Sequence, residues 1–598
     1  MKTDKKETMN LRKFEISRIL LFTVFAVTIL VKCILFHLFC FGSLTNNGLL
    51  DNFQDYVSFF IAKLLPTVSI ASFVFVFKRK WWIVVISVLI DIWLMANLIY
   101  YRANDLFLDV ETIMIADNLN GFGSAISTYV NWKTPTFLII TILLSVFLVF
   151  TTGKNKRSWK GFVIATVVSV ALFCGDYFVG YSTYKQTPGA EPWMYSSFKT
   201  VYEMSSGRFY YSNWIRKQWM EGQTPLHFAP ALLYKNFCDA YYKKTDLKID
   251  DKDKEVINSF IDFSAKDTDT VRQNLIIILG ESFESWALQM QEDGFEVTPN
   301  MNALRRREHS LYVDKIRSQV LRGTSGDGQM IINTGLLPIR AGAACMLFGE
   351  NVYPNYAHKF ESSVIVNHIP TIWNQPGVTF SYGYKNLDNY QFHGVKRACD
   401  ADLMEMAIKQ CLTMQEPFAI MIITLSTHSP FWDYPHSKEQ NHFKEFPKLF
   451  QDYLYSMHYA DSCIGVFLQE LEQKSLLDNS TVVLTGDHTI FRSSLLAEMQ
   501  PIAQKYNLPI PQEESFCPLI ICSPTIEKHT EIDTVCYQMD IYPTILHCLG
   551  ISDYYWKGFG ANLLDSASPQ NRKISVDDAF RLSNLMIRSN YFNENRND

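Results

Sequence analysis

Five apolar runs constrain this chain more than any other feature: residues 19–41, 57–77, 81–101, 134–150 and 161–179 each approach the length a helix needs to cross hydrocarbon. A soluble core does not repeat that length five times. The first run is too long, and too plainly followed by others, to be a cleaved signal peptide. Residues 1–180 therefore read as a five-span transmembrane anchor.

The basic residues orient it. Arg12, Lys13 and Arg18 precede the first run, Lys78, Arg79 and Lys80 separate the second and third, and Lys154, Lys156, Arg157 and Lys160 separate the fourth and fifth. These segments belong in the cytoplasm. The alternate loops carry Asp51, Asp55, Asp105, Asp109, Glu111 and Asp117 instead, so an odd number of spans delivers everything after residue 180 to the outside. Inside the spans, Lys32 and Asp91 stand at similar depth and are expected to pair, since isolated charges there are costly.

Residues 181–270 carry Trp193, Tyr195, Tyr210, Trp214 and Trp219, aromatics suited to the headgroup layer, and end in a polar stretch, 243–254, read as a linker. The 55 Lys and Arg against 60 Asp and Glu leave a net charge of -5, which gives no reason to expect a nucleic-acid partner. The twelve cysteines show neither a zinc-type spacing nor a disulfide framework.

From residue 271 short apolar strands alternate with helical stretches, predicting an α/β domain, 271–598, with a mostly parallel central sheet. Strand 274–279 runs into Gly280-Glu281-Ser282, strand 418–425 into Ser426-Thr427-His428, and strand 481–484 into Thr485-Gly486-Asp487-His488. Ligands bind outside the carboxyl ends of such strands, so Glu281, His428, Asp487 and His488 should converge. Carboxylates with imidazole suit a divalent cation, Mn2+ before Zn2+ or Mg2+. The Gly-rich segment Arg322-Gly323-Thr324-Ser325-Gly326 precedes a predicted helix and offers Thr324 as nucleophile, with Ser325 beside it as competitor.

In this order, the strand-GES, GTS, THSPF (427–431), TGDH (485–488) and QMDIYPTILHCLGI (538–551) segments resemble the alkaline-phosphatase/sulfatase superfamily. Together with five spans, the chain is similar to the lipoteichoic acid synthase group of phosphoglycerol transferases. That resemblance implies a manganese ion bound by Glu281, Thr324, Asp487 and His488, with Thr324 as nucleophile and His428 touching substrate. It implies a membrane phospholipid donor, phosphatidylglycerol foremost, an extracytoplasmic glycan or polymer acceptor, and a bacterial cell-membrane location.

The pattern also departs from the family: where a His-Gly-Asn segment should line the substrate pocket, residues 380–388 place Tyr382, with Lys385 and Asp388 as further substrate-binding candidates. Sulfatase chemistry is not expected, because Cys522-Ser523-Pro524-Thr525-Ile526 lacks the Arg of C-x-P-x-R. Phosphoethanolamine transferases usually carry a Cys before the nucleophile, whereas Gly323 stands here, so ethanolamine transfer is an alternative rather than the first expectation. A rival of another class is a non-catalytic receptor or scaffold on a degenerate hydrolase fold. The complete set of Glu281, Thr324, Asp487 and His488 argues against it.

Overall fold

In hydrocarbon a backbone N–H or C=O finds no partner outside its own chain, so apolar runs close into helices. In a computed structural model, which describes residues 14–41, 53–104, 107–108, 129–152, 157–186, 226, 249–339, 343–366, 372–389, 399–429, 431, 442–565 and 572–594, the described residues form an N-terminal and a C-terminal unit. The N-terminal unit contains α1 (Arg18–Phe41), α2 (Phe53–Ala71), α3 (Trp82–Asn104), α4 (Thr136–Val149) and α5 (Trp159–Gln186). Among the described residues three helices are long and apolar enough to span a membrane, Arg18–Phe41, Trp82–Arg102 and Trp159–Ser182.

The other two runs are helical but short. Thr136–Val149 has 14 residues, a rise of about 21 Å against a hydrocarbon core of about 30 Å. The second run contains Pro66 and passes into a 3-10 turn at Ser72–Phe75. Five apolar helices are thus present where five full spans were expected. Of the stretch 181–270, read as interfacial, residues 187–248 lie outside the described residues apart from Leu226.

Phe25, Ile29 and Phe36 of α1, Leu94 and Leu98 of α3, and Phe137 and Leu144 of α4 form the bundle core. Within it Lys32 and Asp91 do pair: Nζ lies 2.5 Å from Asp91 Oδ1, and both side chains are fully buried. Lys32 also donates to Ser87 Oγ and Thr141 Oγ1, each at 2.7 Å, and Thr141 donates to Asp91 Oδ2 at 2.5 Å. One ion pair therefore ties α1, α3 and α4 together.

The C-terminal unit is built on a nine-stranded mixed sheet. In chain order its strands are β1 (Asn274–Gly280), β2 (Ser310–Arg317), β3 (Glu361–Val366), β4 (Asn386–Asn389), β5 (Phe418–Ile423), β6 (Ser480–Gly486), β7 (Cys517–Cys522), β8 (Thr530–Ile532) and β9 (Cys536–Tyr537). The spatial order is β8-β2-β7-β6-β1-β5-β3-β4, with β9 also on β2. β7 runs antiparallel to both its neighbours, and the other pairings are parallel. β1 is buried along its whole length, which is why it reads as an uninterrupted apolar run.

The described end of the stretch read as a linker, residues 249–254, already belongs to this unit. Helix Asp251–Asn258 is N-capped by Asp250, which accepts from Asp253 N–H, and Asp253 pairs with Arg581 of helix Val576–Ser589 at 2.5 Å. None of the described cysteines forms a disulfide.

The Lys32–Asp91 pair generates a prediction. Lys32→Met or Asp91→Asn alone strands a buried charge and should lower the amount of folded protein in membranes, by an energy of about 3–5 kcal/mol. Combining both should recover much of that loss. Fluorescence-detected size exclusion of the three variants measures it, and single variants at wild-type levels would refute the dependence.

Candidate active site

Register sets the site. β1 pairs in parallel with β6 so that Gly280 faces Gly486, and with β5 so that Leu279 faces Ile423. The three strands end level, and the residues that follow them become neighbours. Asp487 N–H donates to Gly280 O at 3.0 Å, and Glu281 N–H to Thr424 Oγ1 at 3.0 Å. Glu281, Asp487 and His488 are buried, with ligand atoms all within 4.8 Å of one another.

Their hydrogen bonds leave a gap of defined chemistry. Asp487 Oδ1 accepts from Ser282 N–H (2.8 Å) and His488 N–H (2.7 Å), while Asp487 Oδ2 is buried with no hydrogen-bond partner. His488 Nδ1–H donates to Thr489 O at 3.3 Å, which turns Nε2 towards the two carboxylates. Nε2 lies 3.5 Å from Glu281 Oε1 and 3.6 Å from Asp487 Oδ2. Burial pushes the Asp487 carboxyl up, and the Glu281 charge pushes it further, to about 7. Burial acts on Glu281 in the same sense, but the His428 and His488 imidazoles hold it below the ordinary glutamate range. An orphaned buried oxygen beside a second carboxylate and an open imidazole nitrogen fits a divalent cation.

Helix α6 (Thr324–Thr334) brings its first turn to this cluster. It can do so because of Gly328, where a Cβ would stand 2.6 Å from Asp487 O. Asp327 clamps the preceding turn, accepting from Leu321 N–H and Gly323 N–H at 2.9 Å each. Among the described residues it is the Ser325 hydroxyl that reaches the cluster, 3.1 Å from Glu281 Oε2 and 3.3 Å from His488 Nε2. Thr324 sits beside it at φ 37°, a left-handed conformation that is a genuine outlier for a β-branched residue.

His428 follows β5 and is half-buried, its Nδ1–H donating to Ser429 O at 2.6 Å. The other substrate candidates are placed elsewhere. Tyr382 is 2% exposed and packs edge-on against Tyr353 with ring centroids 5.6 Å apart. Lys385 is exposed just before β4, and a parallel strand's start lies away from the carboxyl ends that carry Glu281 and Asp487. Asp388, within edge strand β4, accepts from Gln410 Nε2 at 2.8 Å. A substrate-pocket lining was expected at 380–388; a buried aromatic and a paired edge strand occupy that segment.

Several supports carried no sequence signal of their own. Glu284 is buried, accepting from Ile490 N–H (2.6 Å), Phe491 N–H (2.7 Å), Ser515 Oγ (2.5 Å) and Trp286 Nε1 (2.5 Å), and so holds the segment after His488. Tyr453 donates to Ser282 O at 2.8 Å, and Gln538 Nε2 to Asp487 O at 2.6 Å. Only Gln538 lay in a segment already singled out, 538–551.

Residues 1–197 match the lipoteichoic acid synthase N-terminal domain, and residues 347–551 match the sulfatase family. The chain is a lipoteichoic acid synthase-like member of the alkaline-phosphatase/sulfatase superfamily. It is 24% identical to the lipoteichoic acid synthase of Staphylococcus saprophyticus, over 92% of this chain and 85% of that one. It is 23% identical to lipoteichoic acid synthase 2 of Bacillus subtilis, over 85% and 79% respectively. The solved structure of the lipoteichoic acid synthase LtaP from Listeria monocytogenes is 20% identical, covers 57% of this chain and 98% of its own, and superposes with a TM-score of 0.46.

The ligand geometry predicts how single changes divide. Glu281→Ala, Asp487→Ala and His488→Ala should each lose bound metal, while Ser282→Ala, which removes the 2.8 Å hydrogen bond to Glu281 Oε1, should weaken metal binding about tenfold. His428→Ala should keep its metal. Elemental analysis and metal titration of purified protein separate these outcomes, and metal loss in the His428 variant would make that residue a ligand.

Proposed function

We propose that this protein is a membrane-anchored phosphotransferase that moves a phosphate-bearing headgroup, phosphoglycerol from phosphatidylglycerol, onto an extracytoplasmic glycan or polymer through a phospho-threonine intermediate. One observation carries the reading: the buried, partnerless Asp487 Oδ2 beside Glu281, His488 and the first turn of α6. Both matched domains and the lipoteichoic acid synthases it resembles support the class of reaction. Residues 1–180 act as a five-span anchor, 181–270 as an interfacial connection, and 271–598 as the extracellular catalytic domain of a bacterial membrane protein.

Glu281, Asp487, His488 and the Thr324 hydroxyl would hold one divalent cation, Mn2+ by their oxygen-rich character. Bound there, it supplies a positive field that favours an ionised hydroxyl and neutralises phosphate oxygens. Thr324 Oγ1 loses its proton and attacks phosphorus. The bond from phosphorus to the diacylglycerol oxygen breaks, that oxygen takes up a proton, and the headgroup phosphate remains esterified to Thr324. An acceptor hydroxyl then attacks the same phosphorus, giving up its proton as the Thr324 oxygen leaves and regains one. His428, at the end of β5, contacts the headgroup or delivers the proton.

Thr324 is preferred over Ser325 because strain of the kind at φ 37° persists where the surrounding structure holds a residue for a purpose. Ser325 orients the Glu281 carboxylate through its 3.1 Å hydrogen bond. The assignment has a direct test: incubation with phosphatidylglycerol and no acceptor should leave a phosphoglycerol adduct on the peptide containing Thr324, mapped by tandem mass spectrometry. Thr324→Ala should abolish transfer with metal retained, and Thr324→Ser should keep part of it. An adduct on Ser325 would transfer the role, and an adduct of phosphoethanolamine mass from a phosphatidylethanolamine donor alone would change the headgroup.

A further inference from the structure

The N-terminal unit contains a cavity of about 1020 Å³ that the chemistry at the strand ends does not use. It opens between the start of α1, the second helix with the turn that follows it, and the start of α5. These ends are fixed together. Ser158 N–H donates to Phe75 O at 2.8 Å, and Gly161 lets α5 lie against Phe75, where a Cβ would stand 2.8 Å from the ring. Since the basic segments mark the cytoplasmic side, the cavity faces the inner leaflet.

Its lining is divided by polarity. Phe22, Val68, Ile164 and Val168 form an apolar wall, and the charged groups are Arg18, Arg157, Lys160 and Glu15. Arg18 is already committed, donating to Val74 O, Phe77 O and Lys78 O at 2.5, 2.7 and 3.1 Å. Arg157 and Lys160 are exposed and have no hydrogen-bond or ion-pair partner among the described residues. Two uncompensated cations therefore stand beside an apolar cleft at the upper end of ligand-sized volumes. A soluble anion would match the cations and leave the wall unused. A zwitterionic lipid would match the wall and gain little from the cations.

We propose that this cavity binds one anionic phospholipid of the inner leaflet, its phosphate held by Arg157 and Lys160 and its acyl chains lying along Ile164 and Val168. Basic pockets between helices on the cytoplasmic side have this chemistry. The proposal depends on the membrane orientation of the N-terminal unit and not on the reaction assigned to the C-terminal one. Glu15, exposed at the same cavity, opposes the ligand and limits its affinity.

Native mass spectrometry of the full chain in detergent, titrated with phosphatidylglycerol or phosphatidylcholine of the same acyl chains, tests the assignment. The wild-type protein should retain one phosphatidylglycerol in preference to phosphatidylcholine. Arg157→Gln with Lys160→Gln should weaken that retention roughly tenfold or more, and Glu15→Gln should strengthen it. Opposite signs from two exposed sites exclude misfolding as the cause. Retention unchanged in the double variant, equal retention of phosphatidylcholine, displacement by free glycerol phosphate, or no gain in the Glu15 variant would each overturn the proposal.

Discussion

Two carboxylates and an imidazole held at the level ends of adjacent parallel strands form the constraint on which the rest of the C-terminal unit depends. The facing glycines, Gly280 and Gly486, leave Glu281 and Asp487 no freedom to separate, because the next residues inherit the register of the ladder. Like charges buried that closely cannot both remain ionised without compensation. Burial and the Glu281 charge raise Asp487, while the two imidazoles hold Glu281 low. The neighbourhood must therefore supply positive charge or accept a proton.

Much of the surrounding structure holds this arrangement in place. Gln538 fixes the Asp487 carbonyl, Tyr453 fixes the Ser282 carbonyl, and Glu284 fixes the backbone just beyond His488. On the remaining side Asp327 secures the turn before α6 and Gly328 lets the helix approach the Asp487 backbone. Preorganisation of this kind is what separates a working constellation from one with the right residues loosely held. The β-branched residue at φ 37° is tolerated only because Asp327 and the helix over-determine the turn on both sides of it.

What could be read from residues alone followed from periodicity and from strand ends. Uninterrupted apolar runs mark buried strands, and the residue after such a strand is forced to the carboxyl edge, so Glu281, His428, Asp487 and His488 were legible without coordinates. The pairing of Lys32 with Asp91 was legible by the same logic, since hydrocarbon allows a charge few solutions. Side-chain direction at a helix start was not: Thr324 and Ser325 are adjacent hydroxyls, and only the left-handed turn decides which one meets Glu281. The surroundings of Tyr382, Lys385 and Asp388 were hidden for a related reason, because a Gly- and Asn-containing segment does not announce that part of it forms an edge strand. Span length was obscured by Pro66 and by the 14-residue fourth helix, which hydropathy reads as ordinary runs.

The Lys32–Asp91 pair and the strand-end cluster handle buried charge in opposite ways, and the contrast separates structure from site. Around the Lys32–Asp91 pair both carboxylate oxygens are met: Asp91 accepts from Lys32 on one and from Thr141 on the other, and Ser87 completes the shell around Nζ. Such a network is closed, rigid and has nothing left to bind. Glu284 shows the same closure within a few residues of the cluster, four donors on two oxygens. Asp487, equally buried, keeps one oxygen without a donor, and His488 turns Nε2 towards it. Desolvating a carboxylate oxygen and then withholding its hydrogen bond costs about 1–3 kcal/mol, a penalty that a cation in that coordination position would offset. The difference between a satisfied and an unsatisfied carboxylate, more than the count of acidic residues, is why this edge of the sheet fits a cation.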